Sequence, residues 1–335
     1  MKEKIWGVLL HLSPDVWYGD WNRQSMREVF EEDLWHELVD RTAEAGMNTI
    51  VLDVANGIRY ESHPEIAKDG AYSVDWMRAE VKRCREKGIA LIPKLNFSAN
   101  HDDWLGEYSR MLSTSVYYRL TRDLIEEVWD IFDHPPYIHL GMDEESIHDN
   151  PPGDHIIIRQ GELYFHDLRH FCDTVTALGA TPWIWSSPLY DMPELFRKHI
   201  DPQKIVISPY YYNALRPEHY TPVSSRKEYV EHYAKYYPDL AIHFVEEDPY
   251  FVNFRIHALP MMEHGYRYVP CASVDNRCDY NTVELMEYFK KYANDDQIVG
   301  YLTAPWVATT TCERSTTYFE ETFRFFREAK EKIYG

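Results

Sequence analysis

The chain reads as a (β/α)8 barrel, an α/β fold of TIM type, and three observations predict it. Short apolar runs alternate with longer amphipathic segments from end to end, eight times over in 335 residues. Gly46, Gly88, Gly179 and Gly265 each stand just past a helical run and ahead of the next apolar run, where a left-handed cap is wanted. Polar and aromatic residues gather at the carboxyl ends of the apolar runs, where a barrel binds its ligands. A doubly wound open sheet is the competing architecture. It usually has fewer strands and often a Gly-rich first turn, which this sequence lacks.

The elements follow in order. Met1-Lys2-Glu3-Lys4 leads into the apolar run Ile5 to Leu12, too short for a signal peptide or a membrane span. It is read as a first strand, 5–11, which implies a cytoplasmic protein. A helical pattern at 31–45 follows. The second unit pairs strand 48–54 with helix 74–87, the third 89–95 with 114–132, and the fourth 137–142 with 162–178. The fifth pairs 181–186 with 192–199; the seventh and eighth pair 267–274 with 282–293 and 298–304 with 316–332. The sixth starts at strand 204–209 and is longer, with helical patterns near 225–236 and 254–264. Its residues 210–253 hold a Tyr-rich segment and an acidic-aromatic stretch from His243 to Asn253, read as an elaborated sixth β/α loop over the barrel mouth. No low-complexity tract, long linker or charge block divides the chain, so residues 1–335 are taken as a single domain.

The composition narrows the function. Apolar residues make up 44% and charged residues 27% of the chain, as in an ordinary globular protein. With 35 basic and 55 acidic residues the net charge is −20, which repels phosphate backbones and anionic membrane surfaces; neither nucleic acid nor membrane is an expected partner. Aromatics reach 15%, with 26 Tyr and 10 Trp, flat faces with a polar handle that suit sugar rings and equally suit a core. The five cysteines, Cys84, Cys172, Cys271, Cys278 and Cys312, show no CxxC spacing and read as reduced residues. No nucleotide or flavin motif is visible, so no organic cofactor is expected. The oligomeric state, a homo-oligomer included, stays open.

Reading the strand tips in order gives a coherent set. His11, Trp17, Asp20 and Trp21 follow the first strand, and Asp53 and Asn56 the second. Asn96, Asn100, His101, Asp102 and Trp104 follow the third, and Asp143, Glu144 and Glu145 the fourth. Trp183, Trp185 and Asp191 belong to the fifth tip; Tyr210, Tyr211 and Tyr212 to the sixth, with Glu246, Glu247 and Asp248 in its long loop. Asp275, Asn276 and Arg277 follow the seventh strand and Trp306 the eighth. Carboxylates with Trp and Tyr at a barrel mouth are the ingredients of a sugar pocket.

The fourth tip, Tyr137-Ile138-His139-Leu140-Gly141-Met142-Asp143-Glu144-Glu145, carries the sharpest signal. Adjacent acids at the end of a buried strand must be solvated, paired or used. Acid-catalysed glycoside cleavage needs such a pair, one carboxyl to give a proton and a neighbour that stays ionised. A solvated loop whose acids cap the next helix would look the same. By strand parity Leu140, Met142 and Glu144 share one face and His139, Gly141 and Asp143 the other, so both acids reach one ligand only if the chain bends, which Gly141 would ease. His139 reads as a structural histidine inside the barrel.

His139-Leu140-Gly141-Met142-Asp143-Glu144 resembles the H-x-G-G-D-E motif of glycoside hydrolase family 20, the β-hexosaminidases. Ile92-Pro93-Lys94-Leu95-Asn96 followed by His101, Ser208-Pro209-Tyr210-Tyr211-Tyr212, and Gly300 followed by Trp306 are similar to that family's third-strand, tyrosine-bearing and eighth-strand segments. The resemblance implies a (β/α)8 catalytic barrel and an exo-acting, retaining β-glycosidase. In it Glu144 is the general acid, and Asp143 orients the substrate's 2-acetamido group, whose oxygen attacks the anomeric carbon. It further implies a pocket walled by Trp185 and Trp306, with one of Tyr210 to Tyr212 on the acetamido group. The chain departs from the family pattern at Met142, which replaces the second glycine. It departs also in the first strand, which has no arginine, and at Val307 and Ala308, where a carboxylate is expected.

Three other readings remain. A carboxylate from Glu246, Glu247 or Asp275 could serve as nucleophile or base beside Asp143 or Glu144, the carboxyl separation deciding between retention and inversion. A metal-dependent sugar isomerase or epimerase would use Asp143, Glu145, His148 and Asp149 as oxygen-rich ligands. A barrel without catalysis would serve as a sugar-binding module.

Overall fold

In the computed structural model the described residues are 3–13, 30–145, 156–212, 258, 262–274 and 279–335. Their strands are β1 (Ile5–His11), β2 (Thr49–Asp53), β3 (Ala90–Lys94), β4 (Tyr137–His139), β5 (Thr181–Trp185), β6 (Val206–Ser208), β7 (Tyr210–Tyr211), β8 (Arg267–Tyr268), β9 (Cys271–Ala272) and β10 (Gly300–Thr303). They form one sheet in the order β7-β9-β10-β1-β2-β3-β4-β5-β6-β8, and each strand pair is parallel.

Two prolines make eight barrel positions look like ten strands. Pro209 separates β6 from β7, and Val269-Pro270 separates β8 from β9. Proline has no N–H to give a ladder, so each strand is interrupted there. The pairing nevertheless runs on: Cys271 N donates to Pro209 O at 2.8 Å and Leu302 N to Pro270 O at 2.8 Å. Because β6–β7 is one strand line and β8–β9 its neighbour, the two ends of the sheet order meet and the sheet curls back on itself.

Among the described residues the α-helices are α1 (Glu32–Glu44), α2 (Val74–Glu86), α3 (Ser115–Ile131), α4 (Gly161–Ala177), α5 (Ser187–Asp191), α6 (Pro193–His199), α7 (Asn281–Tyr292) and α8 (Glu313–Tyr334). Ser73 and Thr114 cap α2 and α3 by accepting from Trp76 N and Tyr117 N. Gly88 and Gly179, at φ 75° and 84°, end two of the helices in the left-handed conformation the sequence predicts. Among the described residues no helix is long and apolar enough to cross a membrane.

Alternation along the strands divides the core in two. Val8, Leu10, Ile50, Leu52, Ile138, Ile184 and Ile207 face outward and pack with the helices. Leu9, Val51, Ile92, Trp183, Trp185, Val206, Cys271 and Leu302 fill the interior of the barrel. Gly300 is needed where β10 meets β1: a Cβ there would lie 2.1 Å from Ile5 O. Higher in the interior the lining becomes polar. Lys94 Nζ pairs with Asp53 Oδ2, and His11 Nδ1 lies 3.7 Å from the same oxygen. Burial holds the His11 imidazole down at about 4, with Asp53 opposing and Lys94 reinforcing the effect, so this histidine is neutral at pH 7.

Candidate active site

The site begins with a bend at the tip of β4. Gly141 and Met142 follow the strand at φ 68° and 60°, two consecutive left-handed residues. Asn96, from the tip of β3, fills the space a side chain at 141 would need: a Cβ there would sit 2.0 Å from Asn96 Oδ1. That oxygen accepts from Met142 N at 3.3 Å and from the Ser98 amide at 3.2 Å. The left-handed conformation of a non-glycine residue costs roughly 1–2 kcal/mol. At Met142 it is offset by a fully buried side chain and by Tyr164 Oη donating to Met142 O at 2.9 Å. The bend reverses the strand parity, so that Asp143 and Glu144 meet one partner, His101.

The two acids sit in contrasting surroundings. Asp143 Oδ1 accepts from Asn96 Nδ2 at 3.0 Å and Ser98 Oγ at 2.8 Å, and Oδ2 lies 3.5 Å from His101 Nε2. Glu144 Oε2 lies 3.0 Å from His101 Nε2 and accepts from Asn100 Nδ2 at 2.9 Å. The Asp143 side chain is 15% exposed and that of Glu144 46%. Burial would raise the Asp143 carboxyl, but the His101 imidazolium, Lys94 and the hydrogen bonds from Asn96 and Ser98 outweigh it and hold the group below its ordinary range. Burial likewise opposes charge on His101, yet the Asp143 carboxylate and the hydrogen bond to Glu144 carry the imidazole up to about 9. At neutral pH the trio is an imidazolium between two acids.

His101 Nε2, one Asp143 oxygen and one Glu144 oxygen lie within 4.8 Å of one another, a spacing that could hold a divalent cation once the imidazolium gave up its proton. The ligand set expected from sequence is not the one assembled. Glu145 accepts from Arg159 Nε at 2.7 Å and Nη2 at 2.9 Å, and an acid so paired is no free ligand. His148 and Asp149 lie outside the described residues.

His139 stands inside the barrel as expected, fully buried between Trp183 and Trp185 at ring distances of 5.1 and 4.8 Å. Its Nδ1 accepts from Gly141 N at 3.0 Å, which assigns the proton to Nε2. Burial and Lys94 keep it neutral.

The aromatic wall comes from the fifth, sixth and eighth barrel positions. Trp185 lies 5.7 Å from Trp306 and 6.2 Å from Tyr210, and Tyr212 lies 5.2 Å from Tyr210 and 6.0 Å from Trp306. Trp306, at φ 51°, also lies 5.8 Å from His11. The indole nitrogens of Trp185 and Trp306 and both ring nitrogens of His11 are buried with no hydrogen-bond partner among the described residues.

Of the three tyrosines the structure separates one from the others. Tyr211 turns outward, where its hydroxyl donates to Glu284 Oε2 of α7 at 3.0 Å; strand alternation takes it away from the wall. Tyr210 faces inward. Burial raises its hydroxyl to about 12, the hydrogen bond with Ser187 opposing and the charges of Asp143 and Glu144 adding to the rise. Sequence reasoning passed over Ser98 and Arg159. Asn96-Phe97-Ser98 carries the spacing of an Asx turn, a signal for the first; nothing local marks the second. Glu246, Asp275, Trp17, Asp20, Trp21 and Arg277 lie outside the described residues.

No protein-family model matches this chain, and no curated protein matches it. Solved structures do. The chain is similar to a glycoside hydrolase family 20 β-N-acetylglucosaminidase, at 13% identity and a TM-score of 0.60 over 97% of this chain and 68% of that one. It is similar to the family 20 β-N-acetylhexosaminidase of Streptomyces coelicolor A3(2), at 11% identity and a TM-score of 0.62 over 98% and 64%. It is also similar to the β-N-acetylhexosaminidase of Bacteroides fragilis NCTC 9343, at 14% identity and a TM-score of 0.57 over 96% and 66%. The chain thus spans about two thirds of the length of these three proteins. Its fold is that of the glycoside hydrolase family 20 barrels, the family that the fourth-strand motif resembles.

Proposed function

We propose that this protein is a glycoside hydrolase that cleaves terminal β-linked sugars, N-acetylhexosaminides first among them, with retention of configuration. The observation that carries the reading is the pair of adjacent carboxyls in unlike environments on one histidine. Asp143 is enclosed and held ionised by two hydrogen-bond donors and the charge of His101, while Glu144 reaches solvent. Environments that separate two carboxyls in this way assign them separate tasks.

In the proposed reaction Glu144 protonates the departing glycosidic oxygen. The acetamido oxygen of the substrate attacks the anomeric carbon as that bond breaks, giving a cyclic cation. Asp143 accepts a hydrogen bond from the acetamido N–H and balances the charge that develops there. Glu144, now a carboxylate, then takes a proton from water as it attacks the same carbon, restoring the acid and retaining the configuration. Trp185 and Trp306 wall the sugar, and Tyr210 is the tyrosine that hydrogen-bonds the acetamido group. His101 stabilises the charge on both acids between the two proton transfers.

The test is hydrolysis of a panel of 4-nitrophenyl glycosides, N-acetyl-β-glucosaminide and N-acetyl-β-galactosaminide included, and of the matching methyl glycosides, whose poor leaving group needs the proton, by wild type and Glu144→Gln. Removing a general acid should lower turnover of substrates with poor leaving groups by about 10²–10⁴-fold while binding survives. Near-normal turnover by the variant sinks the assignment. Turnover confined to sugars without an acetamido group would keep the hydrolase and require an enzymic nucleophile.

A further inference from the structure

Glu145 directly follows the two acids, but its own oxygens are committed elsewhere. Oε1 accepts from the Arg159 amide at 2.9 Å and from Arg159 Nε at 2.7 Å. Oε2 accepts from Arg159 Nη2 at 2.9 Å and from Ala99 N at 3.1 Å. Arg159 is 1% exposed. Its Nη2 also donates to Phe97 O at 2.5 Å, and its Nη1 lies 3.4 Å from Asp167 Oδ2 of α4. Phe97 and Ala99 flank Ser98, the residue whose hydroxyl binds Asp143. The ion pair therefore grips the loop after β3 on both sides of an Asp143 ligand, and it does so from the residue next to Glu144.

A buried ion pair is poor evidence for a gain in stability, because apolar replacements of the same volume are often as stable. What a fork of guanidinium donors does supply is fixed geometry. The loop it fixes carries Ser98, Asn100 and His101, the partners of both acids. We propose that Arg159 and Glu145 are positioning residues, a clamp that holds the loop after β3 in register with the Asp143–Glu144 pair. The inference rests on the roles assigned to those two acids above and names what keeps them in place. Misplacing a reacting group by about 1 Å can lower a rate by about 100-fold, so a clamp on this loop acts on kcat.

Two variants of the full-length protein, Glu145→Gln and Arg159→Lys, test it, with two readouts. The first is kcat and KM on 4-nitrophenyl N-acetyl-β-glucosaminide; the second is the titration of the His101 ring followed by NMR. The ring faces Asp143, Glu144, Lys94 and His11, so its midpoint reports the distances between the loop and the acids. The expected result for both variants is a kcat lower by about 100-fold with KM changed by less than about threefold. The His101 midpoint should also fall from about 9 toward its ordinary 6.5. Arg159→Lys keeps the charge and loses the fork, and it should not restore kcat. A lower melting temperature with wild-type kcat, KM and His101 midpoint would overturn the proposal and leave an ordinary ion pair. If the wild type turns over no N-acetyl glycoside, the titration decides alone: a shifted midpoint keeps the clamp while the N-acetylhexosaminide reading falls, and an unmoved one removes the clamp. Should Arg159→Lys fail to fold, Glu145→Gln carries the test, since its amide oxygen can still accept from Ala99 N.

Discussion

Replacing Gly141 by alanine should damage the fold and the site together, and the structure gives the size of the effect. The residue sits at φ 68°, a conformation that costs an alanine roughly 1–2 kcal/mol. The new methyl would lie 2.0 Å from Asn96 Oδ1, 2.3 Å from its Cγ and 2.8 Å from its Cα. The last contact is decisive, because rotating the Asn96 side chain cannot relieve a clash with its own backbone; the tip of β3 must move. Asn96 would then lose its bond to the Asp143 carboxylate, worth about 1.5–3 kcal/mol as a hydrogen bond to a charged group. Together these give a loss of about 2.5–5 kcal/mol, to be read from the midpoint of urea unfolding at constant m. Asp143 would also lose a donor that holds its carboxyl low, so the acid limb of any pH–rate profile should move to higher pH. A loss under about 1 kcal/mol with unchanged turnover would refute the argument, since it would mean that the bend at the tip of β4 tolerates a side chain.

Two further outcomes follow from the same geometry. The folded pKa of His101, about 9, lies above its ordinary 6.5, so its contribution to stability is complete below about pH 6.5 and fades as pH rises through about 9. The shift corresponds to at most about 3 kcal/mol. The unfolding free energies of wild type and His101→Gln should therefore differ most near pH 6 and converge by pH 10; a gap independent of pH would contradict the imidazolium. The tyrosines provide a paired control: Tyr211→Phe loses its bond to Glu284 and should cost about 1 kcal/mol of stability with kcat/KM intact. Tyr210→Phe should instead lower kcat/KM by about tenfold or more, and the reverse pattern would misassign the wall.

The amino-acid sequence by itself determined the repeating architecture and the place of the acids. Short apolar runs bounded by amphipathic segments are local properties, and β1 at Ile5–His11 and α2 at Val74–Glu86 fall where the pattern puts them. The same locality explains the small misses. Pro209 and Pro270 interrupt two barrel strands because a missing N–H breaks the ladder whatever the apolar pattern says. Likewise alternation shows that Tyr210 and Tyr211 face opposite sides, but not which side is the interior.

Only the tertiary structure decided how the two acids come to share a ligand. Strand parity alone sends Asp143 and Glu144 to opposite faces, and the reversal depends on two left-handed residues wedged against Asn96, which lies 45 residues before Gly141 in the chain. The contrast between a neutralised Glu145 and an exposed Glu144 is likewise invisible in the sequence, where three acids stand side by side. It arises because Arg159, 14 residues further on, is buried against one of them. The electrostatic character of a carboxyl depends on the charges and donors within a few ångströms, and the chain brings those together only when it folds.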